Sequence, residues 1–252
     1  MSAPLRPPVQ SARAASLVAR LVLIALCCAP GAAANAAEAT HPASAAPVAT
    51  RPADAAVRNW NREAFERYES GDTARALVLF QRSARRGDAS AQYNVAVIRL
   101  RDESRTPSLQ QALALLRASA TAGFSPAQYM LASMLETGRE VRASQPEATA
   151  WYTRAAEQGH VDAQTSLATQ YYLGRGIGQD FAAAARWYER AADGGDVGAQ
   201  YLIASMYEKG LGVERDLRVA LDWYSAAARN GDDVARAQAR VIAEQLARER
   251  DS

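Results

Sequence analysis

The chain has 252 residues, of which 49% are apolar and 22% charged, a balance typical of a folded soluble protein with a sizeable core. Its 29 basic and 27 acidic residues nearly cancel, and three of the arginines lie in the first 36 residues, which contain no acid. This balance does not favour nucleic acid or an anionic membrane surface as a partner.

Residues 1–36 are predicted to be an export signal. Three arginines precede the apolar stretch 21–29, and small residues ending at Ala36 form a plausible cleavage site. The apolar stretch is shorter than the roughly 20 residues that span a bilayer. We therefore expect a periplasmic or secreted protein that begins near Ala37 and has no membrane span after cleavage. A retained N-terminal anchor is the alternative.

Residues 37–56 are predicted to be a flexible linker. They are rich in alanine, proline and threonine and contain too few large apolar side chains to form a core. Both cysteines, Cys27 and Cys28, precede this segment. The mature chain would therefore contain no disulfide and would depend on packing for its stability.

Several residue types recur with a period of 36 residues, which indicates repeated copies of one small unit. Alanine occupies three columns of the repeat, which begin at Ala76, Ala84 and Ala91, and Trp-Tyr pairs begin at Trp151, Trp187 and Trp223. Small residues allow close helix packing, and the aromatic pairs fill the layer between helices. Two further columns hold glycine and glutamine: Gly87, Gly123, Gly159, Gly195 and Gly231, and Gln92, Gln128, Gln164 and Gln200.

Each unit is predicted to contain two antiparallel helices. The first begins near the Ala-Gln pair and ends near a glycine such as Gly138, Gly174 or Gly210. The second ends near the repeated glycine, which suits a left-handed helix C-terminus. It begins at a residue that can cap a helix, namely Asp72, Ser108, Ser144, Asp180 or Asp216. Ser108 with Gln111 and Ser144 with Glu147 also have the spacing of capping boxes.

Two helices of this length cannot bury their apolar faces alone, so the units must stack. The pattern therefore predicts an all-α protein, an α-solenoid of helix pairs. Residues 57–88 form an atypical first unit with a shortened loop at Gly71, closer to a tetratricopeptide repeat. Residues 233–252 are predicted to be a capping helix with an apolar face formed by Val234, Val241, Ile242 and Leu246.

Two segments, 163–196 and 199–232, strongly resemble Sel1-like repeats, a family related to the tetratricopeptide repeats. The second reads AQYLIASMYEKGLGVERDLRVALDWYSAAARNGD. The resemblance covers residues 89–232 as four units and implies a right-handed α-solenoid that binds proteins. Units 89–124 and 125–160 lack the Gly-x-Gly of the inter-helix loop, and we expect those loops to differ in conformation.

Residues that could support catalysis or metal binding are scarce. The histidines are His41, in the linker, and His160, beside a repeat glycine, which argues against a catalytic triad or a zinc site. Gly174–Gly178 follows a predicted helix and lacks the Lys-Ser/Thr ending of a phosphate-binding loop, so we interpret it as a repeat turn. We expect no enzyme activity and no cofactor or metal, and a pair of glycosidase-type acids is the less favoured alternative. The acidic residues concerned recur at caps and helix surfaces: Glu136, Asp180, Glu189, Glu208 and Asp216.

Partner binding is predicted on the first helix of each unit, which lines the concave side in related helical repeats. Positions i, i+3 and i+7 share one helical face, and we call this face the first-helix strip. Its residues vary between units: Asn94, Met130, Ser166 and Leu202; Val97, Ser133, Thr169 and Ser205; Arg101, Thr137, Leu173 and Lys209.

Asn94 and Arg101 are the strongest single candidates on the strip, because an amide or a guanidinium can fix a peptide backbone or a carboxylate. The glutamine column could also reach a peptide backbone. The alternative for each of these residues is an ordinary solvated surface position.

These observations predict an exported, non-catalytic scaffold that binds a protein or peptide in the bacterial cell envelope. One alternative is a peptidoglycan-binding or cell-wall-modifying, β-lactamase-like envelope protein. A second is a membrane-tethered assembly subunit that retains its N-terminal segment.

Overall fold

The structure is a computed structural model that describes residues 52–101 and 108–250. Within these ranges it contains eleven α-helices and no β-strand, which confirms the predicted all-α class. The predicted signal and residues 37–51 of the predicted linker lie outside the described residues. The helices are α1 (Pro52–Glu69), α2 (Thr73–Ala84), α3 (Ala89–Arg101), α4 (Ser108–Thr121), α5 (Ser125–Thr137), α6 (Gln145–Glu157), α7 (Val161–Leu173), α8 (Phe181–Asp193), α9 (Val197–Lys209), α10 (Leu217–Arg229) and α11 (Asp233–Arg250).

The chain divides into two compact units, the first of which ends at Arg82. Its described part contains α1 and most of α2, and the rings of Phe65 and Phe80 pack edge to face with centroids 5.2 Å apart. Because α1 begins at Pro52, the end of the predicted linker, 52–56, is helical. Proline is well tolerated in the first turn of a helix, and the alanines that follow it favour helix.

The second unit begins at Ser83 and is an α-solenoid, as predicted. Its helices pair in sequence order, α3 with α4, α5 with α6, α7 with α8 and α9 with α10. From α3 to α11, each helix packs against the next one along the chain. The first helices of all pairs therefore occupy the same positions of the 36-residue repeat.

The repeated alanines form the core of the second unit. The alanine column that begins at Ala91 is fully buried in every repeat. The column that includes Ala112 and Ala148 is also fully buried. The tyrosine of each Trp-Tyr pair is also buried, whereas the tryptophan is half-buried. This confirms that the period of 36 residues reports on packing between stacked helices.

Most of the predicted helix caps are present. The carboxylates of Asp180 and Asp216 accept hydrogen bonds from the backbone amides of their own helices, at 2.9 Å from Ala183 N and 2.8 Å from Arg218 N. Ser144 also occupies the cap position of its helix, but its side chain makes no capping hydrogen bond. The capping box predicted there is therefore wrong, and Pro at the start of α6 already removes one of the amides that a cap would satisfy.

The loop between α5 and α6 does not differ from its counterparts, so the expectation is wrong for unit 125–160. The loop of unit 89–124, residues 102–107, lies outside the described residues. Gly176 and Gly212 have φ of 72° and 71°, and Glu140, in the equivalent position, has φ of 62°. The backbone hydrogen bond that closes the loop also recurs, from Ser144 N to Leu135 O at 2.8 Å. Packing of the stacked units therefore imposes the left-handed conformation even on a residue that disfavours it.

Helix α11 packs against α10, but it buries a narrower face than predicted. Ile242 and Ala235 are buried and Leu246 is partly buried against α10. Val234 and Val241 were predicted to lie on the same apolar face. In the structure 64% of Val234 and 52% of Val241 are exposed. They lie about a quarter turn or more away from Ile242 around the helix, which removes them from the contact with α10.

Candidate functional site

The first-helix strip runs along α3, α5, α7 and α9, and its residues fall into three environments. The following are half-buried: Met130, Ser133, Ser166, Thr169 and Ser205. The following are exposed: Arg101, Thr137, Leu173, Leu202 and Lys209. Two residues, Asn94 and Val97, are buried.

Asn94 departs from its predicted role because only 7% of it is exposed. Every residue from Tyr93 to Val97 is buried, so α3 is covered on more than one side. The amide nitrogen of Asn94 has no hydrogen-bond partner among the described residues. A side chain in this position cannot offer its amide to an arriving partner without a rearrangement, and the strip is best defined by α5, α7 and α9.

A carboxylate on α5 anchors the first polar cluster beside the strip. Glu136 accepts hydrogen bonds from the hydroxyl of Tyr152 at 2.8 Å and from the amide of Gln170 at 3.5 Å. The hydroxyl of Thr149 donates to the Gln170 amide oxygen. These residues come from α5, α6 and α7, so the arrangement exists only when neighbouring units stack. We call Glu136, Tyr152 and Gln170 the Glu136 cluster.

The same arrangement recurs two units later. Glu208 accepts hydrogen bonds from the hydroxyl of Tyr224 at 2.7 Å and from the amide of Gln238 at 2.8 Å. We call these three residues the Glu208 cluster. In the unit between the two clusters, Tyr188 pairs instead with the hydroxyl of Thr169, with 2.8 Å between the oxygens. Carboxylates therefore alternate with a neutral hydroxyl along the array.

The tyrosines of the two clusters remain hydrogen-bond donors at neutral pH. Burial raises the pKa of Tyr152 and of Tyr224 well above the usual tyrosine range, and Glu136 and Glu208 raise it further as acceptors and as negative charges. The hydroxyls of Ser166 and Ser205 lie near these tyrosines and oppose the rise in pKa. Two residues of the predicted strip therefore lie directly beside the clusters.

The glutamine column contacts the protein's own backbone, so its predicted role in reaching a peptide is not supported. Gln128, Gln164 and Gln200 are buried, and each donates its amide to a carbonyl of the preceding unit, at 3.1, 3.2 and 3.2 Å. The acceptors are equivalent alanines near the ends of α4, α6 and α8. This repeated bond joins each unit to the next and has a structural role.

His160 also has a structural role. It occupies the N-cap of α7, where its Nδ1 accepts a hydrogen bond from Ala163 N at 3.4 Å. Its ring stacks on Tyr129 with centroids 4.8 Å apart. Burial lowers the pKa of His160, and the charge of Asp162 partly offsets this effect. The neutral imidazole substitutes for the aspartate that caps α9 at Asp196.

The second helices present a different surface. Arg154 and Arg190 lie over the rings of Trp151 and Trp187, at 4.3 and 4.7 Å from the ring centres. Such cation–π contacts cover the tryptophan faces and occupy the guanidinium groups. The Trp-x-x-Arg spacing in the sequence could have predicted these pairs.

Exposed apolar side chains concentrate on the strip and on its continuation along α11. Five large apolar residues are exposed among the described residues, and two of them, Leu173 and Leu202, belong to the strip. Val234 and Val241 lie on α11, and Val241 occupies the column of Ser205. Only Val78, on α2, lies on a second helix. The strip is therefore the more apolar face of the array.

Within the described ranges, no group of three or more histidine, cysteine or acidic side chains lies close enough to hold a metal ion. Gly176 lies in the loop that was compared with a phosphate-binding loop, and a Cβ there would come within 2.5 Å of the Gln145 carbonyl oxygen. That loop is packed against the preceding unit, as a repeat turn. None of the helices in the described ranges is long and apolar enough to cross a membrane.

The period, the caps and the stacked pairs match the Sel1 repeat model, which aligns with residues 67–88, 89–124, 125–160, 161–196 and 197–232. The chain belongs to the Sel1 repeat family. Four of these matches coincide with the four predicted units, and the shorter match at 67–88 lies inside the segment interpreted as an atypical first unit. No curated protein sequence matches the chain significantly.

Two solved structures show the extent of the similarity. A protective antigen present in uropathogenic Escherichia coli strains, with an SLR fold, is 29% identical at a TM-score of 0.67 and aligns with 74% of this chain and 41% of its own. A Sel1 repeat protein from Oxalobacter formigenes is 31% identical at a TM-score of 0.62, with 66% and 49% covered. This Sel1 repeat chain thus spans less than half of either protein.

The two glutamate clusters were not predicted from the sequence. Glu136 and Glu208 were interpreted as ordinary surface acids of the repeat. They occupy one column, 72 residues apart, and the tyrosines that bind them also share a column. The spacing of 16 residues from glutamate to tyrosine is common to both clusters and was the available signal. Whether the two side chains meet, however, depends on the rotation of α5 and α9 about their axes.

Proposed function

We propose that this Sel1 repeat protein is an exported, non-catalytic scaffold of the bacterial cell envelope. The first-helix strip on α5, α7 and α9, continued on α11, would hold a peptide segment or a domain of a partner protein. Sel1 repeat proteins commonly act as protein-binding scaffolds, which supports this proposal. The observation that carries it is the concentration of exposed leucine and valine side chains on this one face.

The polar groups of the strip suit the same purpose. Ser133, Ser166 and Ser205 are half-buried residues of the strip, which also carries the exposed Leu173 and Leu202. Such a surface can bury apolar groups of a partner while satisfying its backbone amides and carbonyls. Affinity would be distributed over several units and would require no covalent step.

The test is capture of a partner from the envelope fraction by the mature protein, with identification by mass spectrometry. Leu202→Glu places a charge on the strip, where 37% of Leu202 is exposed. Ala150→Glu is the matched control, since Ala150 is exposed on the second helix α6. We expect a partner that the control retains and Leu202→Glu loses. Equal capture by both variants would show that the binding surface lies outside the strip. Binding only to purified peptidoglycan would favour the cell-wall alternative.

Export is tested separately by N-terminal sequencing of the protein recovered from the envelope. A start near Ala37 supports cleavage of the predicted signal. A start at Met1 in the membrane fraction would support the retained anchor instead.

A further inference from the structure

Of the three junctions that join α5, α7, α9 and α11, two carry hydrogen bonds between polar side chains beside the strip, which we call polar links. At the first junction, Gln170 of α7 donates to Glu136 of α5 at 3.5 Å and accepts from Thr149 of α6. At the last junction, Gln238 of α11 donates to Glu208 of α9 at 2.8 Å. Hydrogen bonds are directional, so rotation of one unit against the next would break them. The polar links therefore hold these two junctions in one orientation.

The middle junction, where the unit of α7 and α8 meets the unit of α9 and α10, has no such link. The three positions that form the polar link of the first junction are occupied here by Tyr172, Ala185 and Met206. Ala185 and Met206 are buried in the apolar core that α7, α8 and α9 share. Tyr188, the counterpart of the cluster tyrosines, pairs with Thr169 and so links α8 to α7. Among the described residues, no side-chain hydrogen bond joins α7 to α9.

The side-chain hydrogen bonds that do cross the middle junction run from α9 to α8 and lie behind the strip. Their donors are Gln200 and Tyr207, each at 3.2 Å from its acceptor. Each donor is two residues from a strip residue, Leu202 or Ser205, and so lies about 200° around the helix from it. The glutamine of the first polar link, in contrast, is four residues from a strip residue and lies on nearly the same side. The middle junction therefore has polar contacts behind the strip and only apolar contacts beside it.

The backbone connection across the middle junction is also easier to deform than its counterparts. Helix α8 is followed by Gly194 and Gly195, whereas α6 and α10 are followed by Gln158 and Asn230 before a single glycine. The side chains of Gln158 and Asn230 donate to the glutamine column, at 2.6 and 3.1 Å. Gly194 has no side chain that could do so, and paired glycines allow a wider range of backbone dihedrals.

We propose that the array bends at the middle junction, with Gln200 and Tyr207 as the pivot, so that the strip opens and closes between α7 and α9. Apolar attraction has no preferred direction, so the helices can slide by small amounts while they remain in contact. The hydrogen bonds of the pivot persist because they lie near the axis of rotation. Bending adapts the strip to its partner, and a partner that contacts both α7 and α9 selects one angle. Only this use of the bend rests on the proposed function.

The bend is measured by double electron–electron resonance, as the width of the distance distribution between two spin labels. Equivalent exposed residues are replaced by cysteine and labelled in two pairs, the first across the first junction and the second across the middle junction: Arg139 with Arg186, and Arg175 with Asp222. Each pair spans two helix contacts of about 10 Å, or about 20 Å in all. The native Cys27 and Cys28 are replaced by serine, so that only the introduced cysteines are labelled.

We expect the distribution across the middle junction to be about twice as wide as the one across the first junction. Two variants exchange the character of the junctions. Gln170→Met gives the first junction the side chain of the middle one, and its distribution should widen about twofold. Tyr172→Glu combined with Met206→Gln builds a polar link into the middle junction, whose distribution should narrow about twofold. Glu147→Gln, on the exposed face of α6, should change neither width.

Equal widths at the two junctions of the unmodified array would overturn the inference. An unchanged width in Gln170→Met, or in a folded double variant, would also overturn it. Urea unfolding shows which variants are folded, and Gln170→Met is the milder test because methionine already fills the equivalent buried position at Met206. No partner is present in these measurements. Their outcome is therefore separate from the capture experiment, which tests the scaffold function whether or not the array bends.

Discussion

At the scale of single residues, the inter-helix loops show how stacking controls backbone conformation. Gly212 has φ of 71°, and a Cβ built there would come within 2.2 Å of the backbone of Phe181 in the preceding unit. Glycine is therefore required at this position for two reasons, its left-handed φ and the close approach of another helix. Glu140 satisfies the same φ without glycine.

Glu140→Gly is expected to stabilise the protein by about 1 kcal/mol, because a left-handed conformation costs a residue with a Cβ about that much. Urea unfolding monitored by circular dichroism measures the change. Gly212→Ala is the companion variant, and we expect it to destabilise by about 3 kcal/mol through strain and overlap with Phe181. Unchanged stability in both variants would show that the loops tolerate other conformations.

His160 should make stability depend on pH. Burial lowers the pKa of the folded imidazole, so the neutral, capping form is favoured by folding. Its contribution is present above the ordinary histidine pKa of about 6.5 and is lost as pH falls through the lowered folded pKa. We compare wild type with His160→Asp, which restores the carboxylate cap of the other units and stays ionised in this range.

The expected result is that wild type loses about 1 kcal/mol more unfolding free energy than His160→Asp between pH 7.5 and pH 5. Urea titrations at the two values provide the measurement. Parallel losses in both proteins would mean that other groups, and not the cap of α7, determine the acid sensitivity.

At the scale of helices, the glutamine column joins each unit to the one before it. Gln200 is 5% exposed, donates to Ala192 O at 3.2 Å and accepts from the amide of Asn230 at 3.1 Å. These contacts connect α9 to α8 and to Asn230, the residue that follows α10. A side chain that bonds in both directions couples the helices of successive units and favours unfolding of the array as a cooperative whole.

Gln200→Met is expected to cost about 1–3 kcal/mol, because it retains the bulk but leaves a buried carbonyl and the Asn230 amide without their partner. Gln110→Met is the control, since Gln110 is exposed on α4 and should change stability by less than about 0.5 kcal/mol. Chemical unfolding of both variants, with the slope as well as the midpoint, tests the coupling. A smaller effect at Gln200 than at Gln110 would contradict it.

At the scale of the molecule, α11 extends the packing of the last helix pair. It covers Tyr224 and Ala227 of α10. Ile242 is the side chain that fills this contact, whereas its neighbour Val241 points away. The contact with α10 therefore depends on one face of α11, and the face that carries Val241 is exposed.

Two adjacent substitutions test this division. Ile242→Ala should destabilise by about 3 kcal/mol through loss of burial and formation of a cavity. Val241→Ala should change stability by less than about 0.5 kcal/mol, because half of the residue is already exposed. Thermal unfolding is the measurement, and equal effects of the two substitutions would show that α11 is packed in a different rotation.

Sequence periodicity alone predicted the repeat, the two helices per unit, their caps and the stacking. These features depend on residues that are close in sequence or that recur with the period, such as Asp180 at its cap and Gly195 at its helix end. The alanine columns were also interpretable, because only small residues fit where neighbouring helices meet. Helix propensity and helix packing both favour the same residues at these positions, so both predict the same fold.

The tertiary structure decided the features that depend on helix rotation and on contacts between units. It buried Asn94, exposed Val241, imposed the left-handed φ on Glu140 and turned the glutamine column inward. It also brought Glu136 to a tyrosine 16 residues away and a glutamine 34 residues away. A period of 36 residues shows which positions are equivalent, but only the stacked helices determine which of these positions meet.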